Sequence, residues 1–252
     1  MAMSPSPRLL GKRSQVTLMN TEYPSACSLG ACSLGACSLG ACAILGASGH
    51  GKVVAEIAEL NGYSEIHFYD DRWPELHNIE HWNVVGDSEA LLASVQQYAC
   101  VAVAIGNNAI RLNKHKQLLE VGARMPSLVH PRAVISGYAT IAEGCVVMAN
   151  AVVNPFALLG QACIINTGAV VEHDCLLADG VHLSPNSAIA GGSRIGECAW
   201  LGIGAVTRQL VSVGAGATIG AGATVVANVA ANTVVMGTPA KIQTTKDLGA
   251  RS

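Results

Sequence analysis

Aromatic residues are scarce. Two Phe, three Trp and five Tyr make up 4% of a 252-residue chain that is 50% hydrophobic. A core built that way rests on Ala, Val, Ile and Gly, which implies narrow, regular packing. Charge is scarce as well: 13% of residues are ionic and the formal net charge is −2. That leaves no basic footprint for nucleic acid. No run of 18 apolar residues is uninterrupted, so nothing in the sequence reads as a membrane span. CxxC pairs are absent. The nine cysteines (Cys27, Cys32, Cys37, Cys42, Cys100, Cys145, Cys163, Cys175 and Cys198) are odd in number, and the N-terminus has no signal-peptide pattern. They read as reduced thiols of a cytoplasmic protein, without the spacing of a zinc site, so no metal is expected.

What is present divides the chain into four parts. Residues 1–42 form a linker followed by low-complexity sequence, in which the unit ACSLG occurs three times and begins a fourth. A period of five matches neither helix nor strand. Residues 43–126 alternate strand and helix patterns. CAILGASGHG is a buried strand with a glycine-rich turn, KVVAEIAELNGY a helix, EIHFYDD a strand, EALLASVQQYA a helix, ACVAVAIGNN a strand and AIRLNKHKQLLEVGA a helix. This is an α/β, Rossmann-like arrangement of parallel βαβ units. Its three polar loops lie at the same edge of the sheet: Ser48, Gly49 and His50 at a helix N-terminus suited to phosphate, Asp70 and Asp71 where an acid meets a ribose hydroxyl, and Gly106, Asn107 and Asn108. GASGHG is not GxGxxG, so a dinucleotide site is poorly supported.

From residue 127 to 241 the period becomes six. Stepping by six from Val129 to Val225 gives seventeen positions, sixteen of them Val, Ile or Leu, with Thr207 the exception. Four residues after each step the side chain is nearly always small, as at Ala133, Ala139, Cys145, Ala151 and Cys163. Six fits a solenoid whose coil has three flat sides, with one aliphatic and one small residue per side pointing inward. Residues 242–252 form a C-terminal tail. Residues 18 apart then stack one rung above another, about 4.8 Å away. The polar group Glu172-His173-Asp174 falls on a corner of the coil, with Gly191 one rung above His173. Acyl transfer from a thioester to an amine needs a base near neutral pKa and a donor for the oxyanion. His173 suits the first role, tuned by a neighbouring carboxylate from Asp174 or Glu172. The backbone N–H of Gly191 suits the second, and Gly191 also leaves room for a ligand. Cys175 occupies an inward small position and reads as packing.

The hexapeptide run resembles the all-β, left-handed parallel β-helix of the hexapeptide acyltransferases. Together with GASGHG, YDD, AIGNN, the Asn166–His182 segment and GTPAK, it resembles the PglD/NeuD type of nucleotide-sugar acetyltransferase. The resemblance implies an acetyl-CoA-dependent N-acetyltransferase acting on the 4-amino group of a UDP-linked 4-amino-4,6-dideoxy sugar, as in the bacillosamine pathway. It implies His173 as base with Asp174, where the pattern has Glu, as its partner. It places acetyl-CoA contacts at Asn166, His182, Gly191, Ile203, Gly220, Ala221 and Lys241, with UDP held by Ser48, Gly49, His50, Asp70, Asp71 and Gly106–Asn108. It further implies a homotrimer in the bacterial cytoplasm. Relatives of this type also occur joined to a membrane sugar-phosphate transferase, at the inner face of the membrane. The rival expectations are O-acetylation of sialic acid or another sugar, and a non-catalytic nucleotide-sugar-binding scaffold. A three-histidine zinc site of the γ-carbonic-anhydrase type is disfavoured by the spacing of His130, His173 and His182.

Overall fold

The computed structural model describes residues 38–243. The first 37 residues, with Cys27, Cys32, Cys37 and most of the ACSLG repeat, lie outside the described residues, as do the residues after 243. The last partial copy of the repeat enters the fold, because Ala41 and Cys42 open the first strand.

The N-terminal domain is a five-stranded sheet flanked by helices. Its elements are β1 (Ala41–Leu45), α1 (Gly49–Leu60), β2 (Glu65–Tyr69), β3 (Asn78–Ile79), β4 (Trp82–Gly86), α2 (Ser88–Ser94), β5 (Cys100–Val103) and α3 (Asn108–Glu120), in sheet order β3-β4-β2-β1-β5. The central pairs are parallel, as expected of βαβ units, and the β3–β4 pair is antiparallel. That two-residue strand and its partner carry no clear alternation, so the hairpin is not legible in the sequence. At Gly51 a Cβ would lie 2.3 Å from the Gly46 carbonyl oxygen, so α1 packs closely on the strand end only because residue 51 has no side chain.

After α3 the chain winds into 18-residue coils. Short parallel strands stack in three sheets with registers such as Val152↔Val170, Leu158↔Leu176 and Ile164↔His182. The first face runs from Leu128–Val129 through His182–Leu183, Trp200–Leu201 and Thr218–Ile219 to Val234–Met236. The second runs from Val134–Ile135 through Val170–Val171 to Thr224–Val225, and the third from Thr140–Ile141 through Leu176–Leu177 to Ser212–Val213. One core column holds the aliphatic and small residues of the six-residue period, including Val147, Ala151, Cys163, Val171, Ile189 and Leu201. Thr207, the non-aliphatic step, is tolerated because its Oγ1 accepts the Ala190 N–H at 3.1 Å. From the hexapeptide of Ile141 to that of Ile219 the fourth residue turns the corner in the left-handed region, for example Asn150, Asp174, Asn186 and Gly192.

The domain and the coil share a core. Leu128, Val146, Met148 and Ile164 of the first face pack with Ile44, Val54, Ile57 and Phe68. Arg111 of α3 is 2% exposed and binds carbonyls of both domains: Nε donates to Ala162 O at 2.9 Å, Nη2 to Gly180 O at 2.7 Å and Nη1 to Ile105 O at 3.0 Å. Reading AIRLNKHKQLLEVGA as a helix gave no sign that this cation would be buried.

His115, also on α3, is fully buried with its ring against Gly144, and among the described residues neither ring nitrogen has a partner. Burial lowers its pKa to about 4, with Asp179 opposing and Lys116 adding to the shift. In the unfolded chain the group titrates near 6.5, at about the ordinary histidine value. Between those values the unfolded chain takes up a proton that the folded chain refuses. Stability is therefore flat above pH ~6.5 and falls as pH drops towards 4. His50 and His182, lowered to about 4 and about 3, act in the same direction. His115→Leu is expected to melt higher than the parent, with a larger gap at pH 5 than at pH 8. Thermal denaturation at both values checks this, and an equal gap at both would remove the protonation account.

Candidate active site

His173 and Asp174 occupy the corner between the second and third faces, both about two-thirds exposed. His173 Nδ1 lies 2.7 Å from Asp174 Oδ2. A carboxylate only accepts, so Nδ1 carries the hydrogen and Nε2 of the neutral ring is left with a lone pair. Of the two expected carboxylates, it is Asp174 that contacts the ring. Residue 174 sits at φ 59°, the corner conformation that Asp tolerates better than most residues, and from there its short side chain reaches back to the ring.

One rung up, a Cβ on Gly191 would lie 2.6 Å from both Cε1 and Nε2 of His173. The missing side chain at Gly191 makes room for the imidazole. The third residue of each hexapeptide does not need its N–H for the ladder, which is why Pro131, Pro155 and Pro185 fit at that position. The Gly191 N–H accordingly donates to no group among the described residues. Cys175, nearby, is a packing thiol: its Sγ donates to Ala190 O at 3.3 Å, and burial raises its pKa.

The remaining expected contacts fall elsewhere. Ile203 and Ala221 sit at the corner between the first and second faces, with Gly220 beside them under Met236. Asn166 and His182 are on the first face, Asn166 Nδ2 lying 3.4 Å from His182 Nε2. Burial, with the charges of Arg111 and His50, holds His182 neutral at a pKa of about 3. Lys241 is exposed in the final antiparallel strand pair. His173, Asp174 and Gly191 thus form one group, and the other expected donor contacts form a second group on the far side of face two.

A cavity of about 520 Å³ opens between the N-terminus of α3 and the upper first face, lined by Gly106, Asn107, Asn108, His182, Trp200 and Thr218 among others. It unites the expected Gly106–Asn108 loop with His182. Asn107 Oδ1 caps α3 by accepting from Ile110 N at 3.1 Å, and Asn108 Nδ2 donates to Cys198 O and Ala199 O at 3.0 and 3.2 Å. Ser48, Gly49 and His50 begin α1 outside the cavity lining. Among the described residues the Ser48 side chain makes no capping bond, and His50 Nε2 is buried without a partner. The two acids have internal partners. Asp70 accepts from Ala47 N at 2.8 Å and from Arg72 Nε at 2.7 Å, and these bonds outweigh burial and lower its pKa. Asp71 accepts from Ser88 N at 2.9 Å, which lowers its pKa. Their oxygens brace the loops around the end of the strand. Trp200 and Thr218 were not anticipated as site residues, although the 18-residue stacking rule places both above His182.

Residues 42–118 match the family described as the PglD N-terminal domain. The acetyltransferase domain of PglB from Neisseria gonorrhoeae FA1090, solved in complex with acetyl coenzyme A, is 43% identical, with a TM-score of 0.77 over 81% of this chain and 98% of that one. The chain belongs to the PglD/NeuD-type family of sugar acetyltransferases. The coil is accordingly the left-handed parallel β-helix of hexapeptide acetyltransferases. PerB from Caulobacter crescentus, solved with CoA and GDP-perosamine, is 37% identical, with a TM-score of 0.77 over 82% of this chain and 99% of that one. A UDP-N-acetylbacillosamine N-acetyltransferase of Bacillus subtilis (strain 168) is 35% identical over 112 residues, which are 42% of this chain and 50% of the relative. The match spans half the length of that curated relative. Among the described residues no group of acidic, His or Cys side chains could hold a metal ion, and no helix is long and apolar enough to cross a membrane.

Proposed function

We propose that this chain transfers the acetyl group of acetyl-CoA to the 4-amino group of a UDP-linked 4-amino-4,6-dideoxy sugar. The observation that carries the reading is the His173 corner, where an imidazole oriented by Asp174 has its Nε2 against Gly191, a residue whose backbone N–H is unused among the described residues. His173 Nε2 takes the proton of the attacking amine, and the Gly191 N–H receives the negative charge that develops on the thioester carbonyl oxygen. Collapse expels the CoA thiolate and leaves the amide. Asp174 holds the ring in the tautomer that can act as base and stabilises the imidazolium that forms.

The nucleotide sugar reaches this site from the N-terminal domain, and the site is completed by a second copy. Within one chain the His173 corner and the Ile203–Ala221 corner lie at opposite edges of face two. The outward residues of that face are Val134, Val152, Val170, Ala188, Val206 and Thr224, an apolar strip. Below His173 on the same edge, exposed Phe156 and Tyr138 stack at 5.5 Å and extend it. Three coils packed about these strips form a trimer and bring one chain's base to another chain's donor contacts. Its setting is the bacterial cytoplasm, at the membrane face where the chain acts with a sugar-phosphate transferase.

Relatives acting on UDP- and GDP-linked sugars make the acceptor the quantity to measure. Thiol release from acetyl-CoA with UDP-4-amino, GDP-4-amino and sialic acid acceptors tests the reading, with a threefold assembly expected by sedimentation. Turnover only with a hydroxyl acceptor would replace N- by O-acetylation, and no turnover with any acceptor would favour a binding scaffold.

A further inference from the structure

The outward residues of the first face change character where the N-terminal domain ends. Leu128, Val146 and Ile164 are at most 3% exposed beneath it. The next three, His182, Trp200 and Thr218, emerge into the cavity facing α3. Trp200 is 45% exposed, a large apolar side chain left uncovered by its own fold in a chain with very few aromatics. It is not loose. Its Nε1 donates to Ser184 Oγ at 2.8 Å, and its ring stacks on that of His182 with an interplanar angle of 18° and centroids 6.1 Å apart. The indole is therefore fixed in orientation and forms one wall of the cavity, with Gly216 and Thr218 too small to cover it.

The opposite wall is polar. The N–H groups of Asn108 and Ala109, at the start of the 13-residue α3, find no acceptor among the described residues and favour an anion. Asn108 Nδ2 is held by two carbonyls of the coil, which fixes the amide plane. An aromatic platform facing an anion-favouring helix end suits a hexose diphosphate: the apolar face of a pyranose lies on an aromatic ring while its edge makes hydrogen bonds. Because acetyl is added to the sugar, the sugar end of the acceptor belongs at the coil and the nucleoside end at the N-terminal loops.

We propose that Trp200 is the platform on which the hexose of the nucleotide-linked acceptor stacks, and that it determines selectivity for the sugar rather than for the base. This rests on the acetyltransferase reading for its role in turnover, but the binding itself is separable. Calorimetric titration of the full chain with a UDP-4-amino-4,6-dideoxyhexose and with UDP alone gives the sugar-dependent gain in affinity. That gain is expected in the parent, reduced about 10-fold in Trp200→Ala, where the stacking contact is lost, and largely kept in Trp200→Phe, while UDP binding stays unchanged in both. In steady state Trp200→Ala is expected to raise the acceptor KM and to leave the acetyl-CoA KM within about twofold. The side chain is outward, so melting temperatures should confirm intact folds. Equal loss for UDP and the UDP-sugar would assign the ring to the base, a rise only in the acetyl-CoA KM would assign it to the donor, and no sugar-dependent gain in the parent would remove the platform; each overturns the proposal. A parent that binds the sugar with the expected Trp200 dependence but transfers no acetyl group would instead sink the proposed function alone.

Discussion

Replacing His173 with alanine is expected to lower kcat by about 10²–10⁴-fold, the range for losing a positioned general base, with KM for both substrates within about twofold. The ring lies against Gly191, and it stands open at a corner rather than supporting the core. Its removal should therefore leave the melting temperature nearly unchanged. Steady-state kinetics with thiol release measure the loss. An almost unaltered kcat would remove His173 from the mechanism, whereas a collapse in KM with kcat preserved would make it a binding residue.

The second large effect is expected from a single methyl group. In Gly191→Ala the new Cβ would lie 2.6 Å from His173 Nε2 and Cε1, closer than atoms tolerate, so the imidazole must swing away from Asp174 or from the thioester. A displacement of about 1 Å at a reacting group can cost about 10²-fold in rate, and a fall in kcat of that order is expected. Gly191 is not among the positive-φ residues, unlike Gly192 at φ 67°, so alanine there strains no backbone and the fold should persist. The backbone N–H also survives the change. A double-mutant cycle separates the causes. If alanine acts by pushing the ring, His173→Ala/Gly191→Ala should be no slower than His173→Ala. Full additivity of the two losses would show that Gly191 works independently of the imidazole.

Why the sequence reached His173 and Gly191 but not the contact between them is a matter of scale. The repeat of six placed both residues at the third position of their hexapeptides, on one corner and one rung apart. It could not say whether the space over a missing Cβ would hold a ligand or the ring below. Nor could it choose between Glu172 and Asp174. That choice depends on the left-handed backbone at the fourth position, which turns Asp174 back towards Nδ1. Asp70 and Asp71 were placed correctly at the end of β2, but their bonds to Ala47, Arg72 and Ser88 come from loops that no local pattern ties together.

The sequence by itself determined the coil, its inward columns and the corner that carries the candidate base. In a solenoid each rung repeats the last by translation, so position along the chain is position in space. Only the tertiary structure decided where the N-terminal domain ends over the first face. The fates of Ile164, buried, and Trp200, open, follow from that limit, as do the enclosure of Arg111 and the isolation of His115. These depend on the docking of two units that share no period, and their hydrogen bonds join residues up to 91 positions apart, as between Asn108 and Ala199.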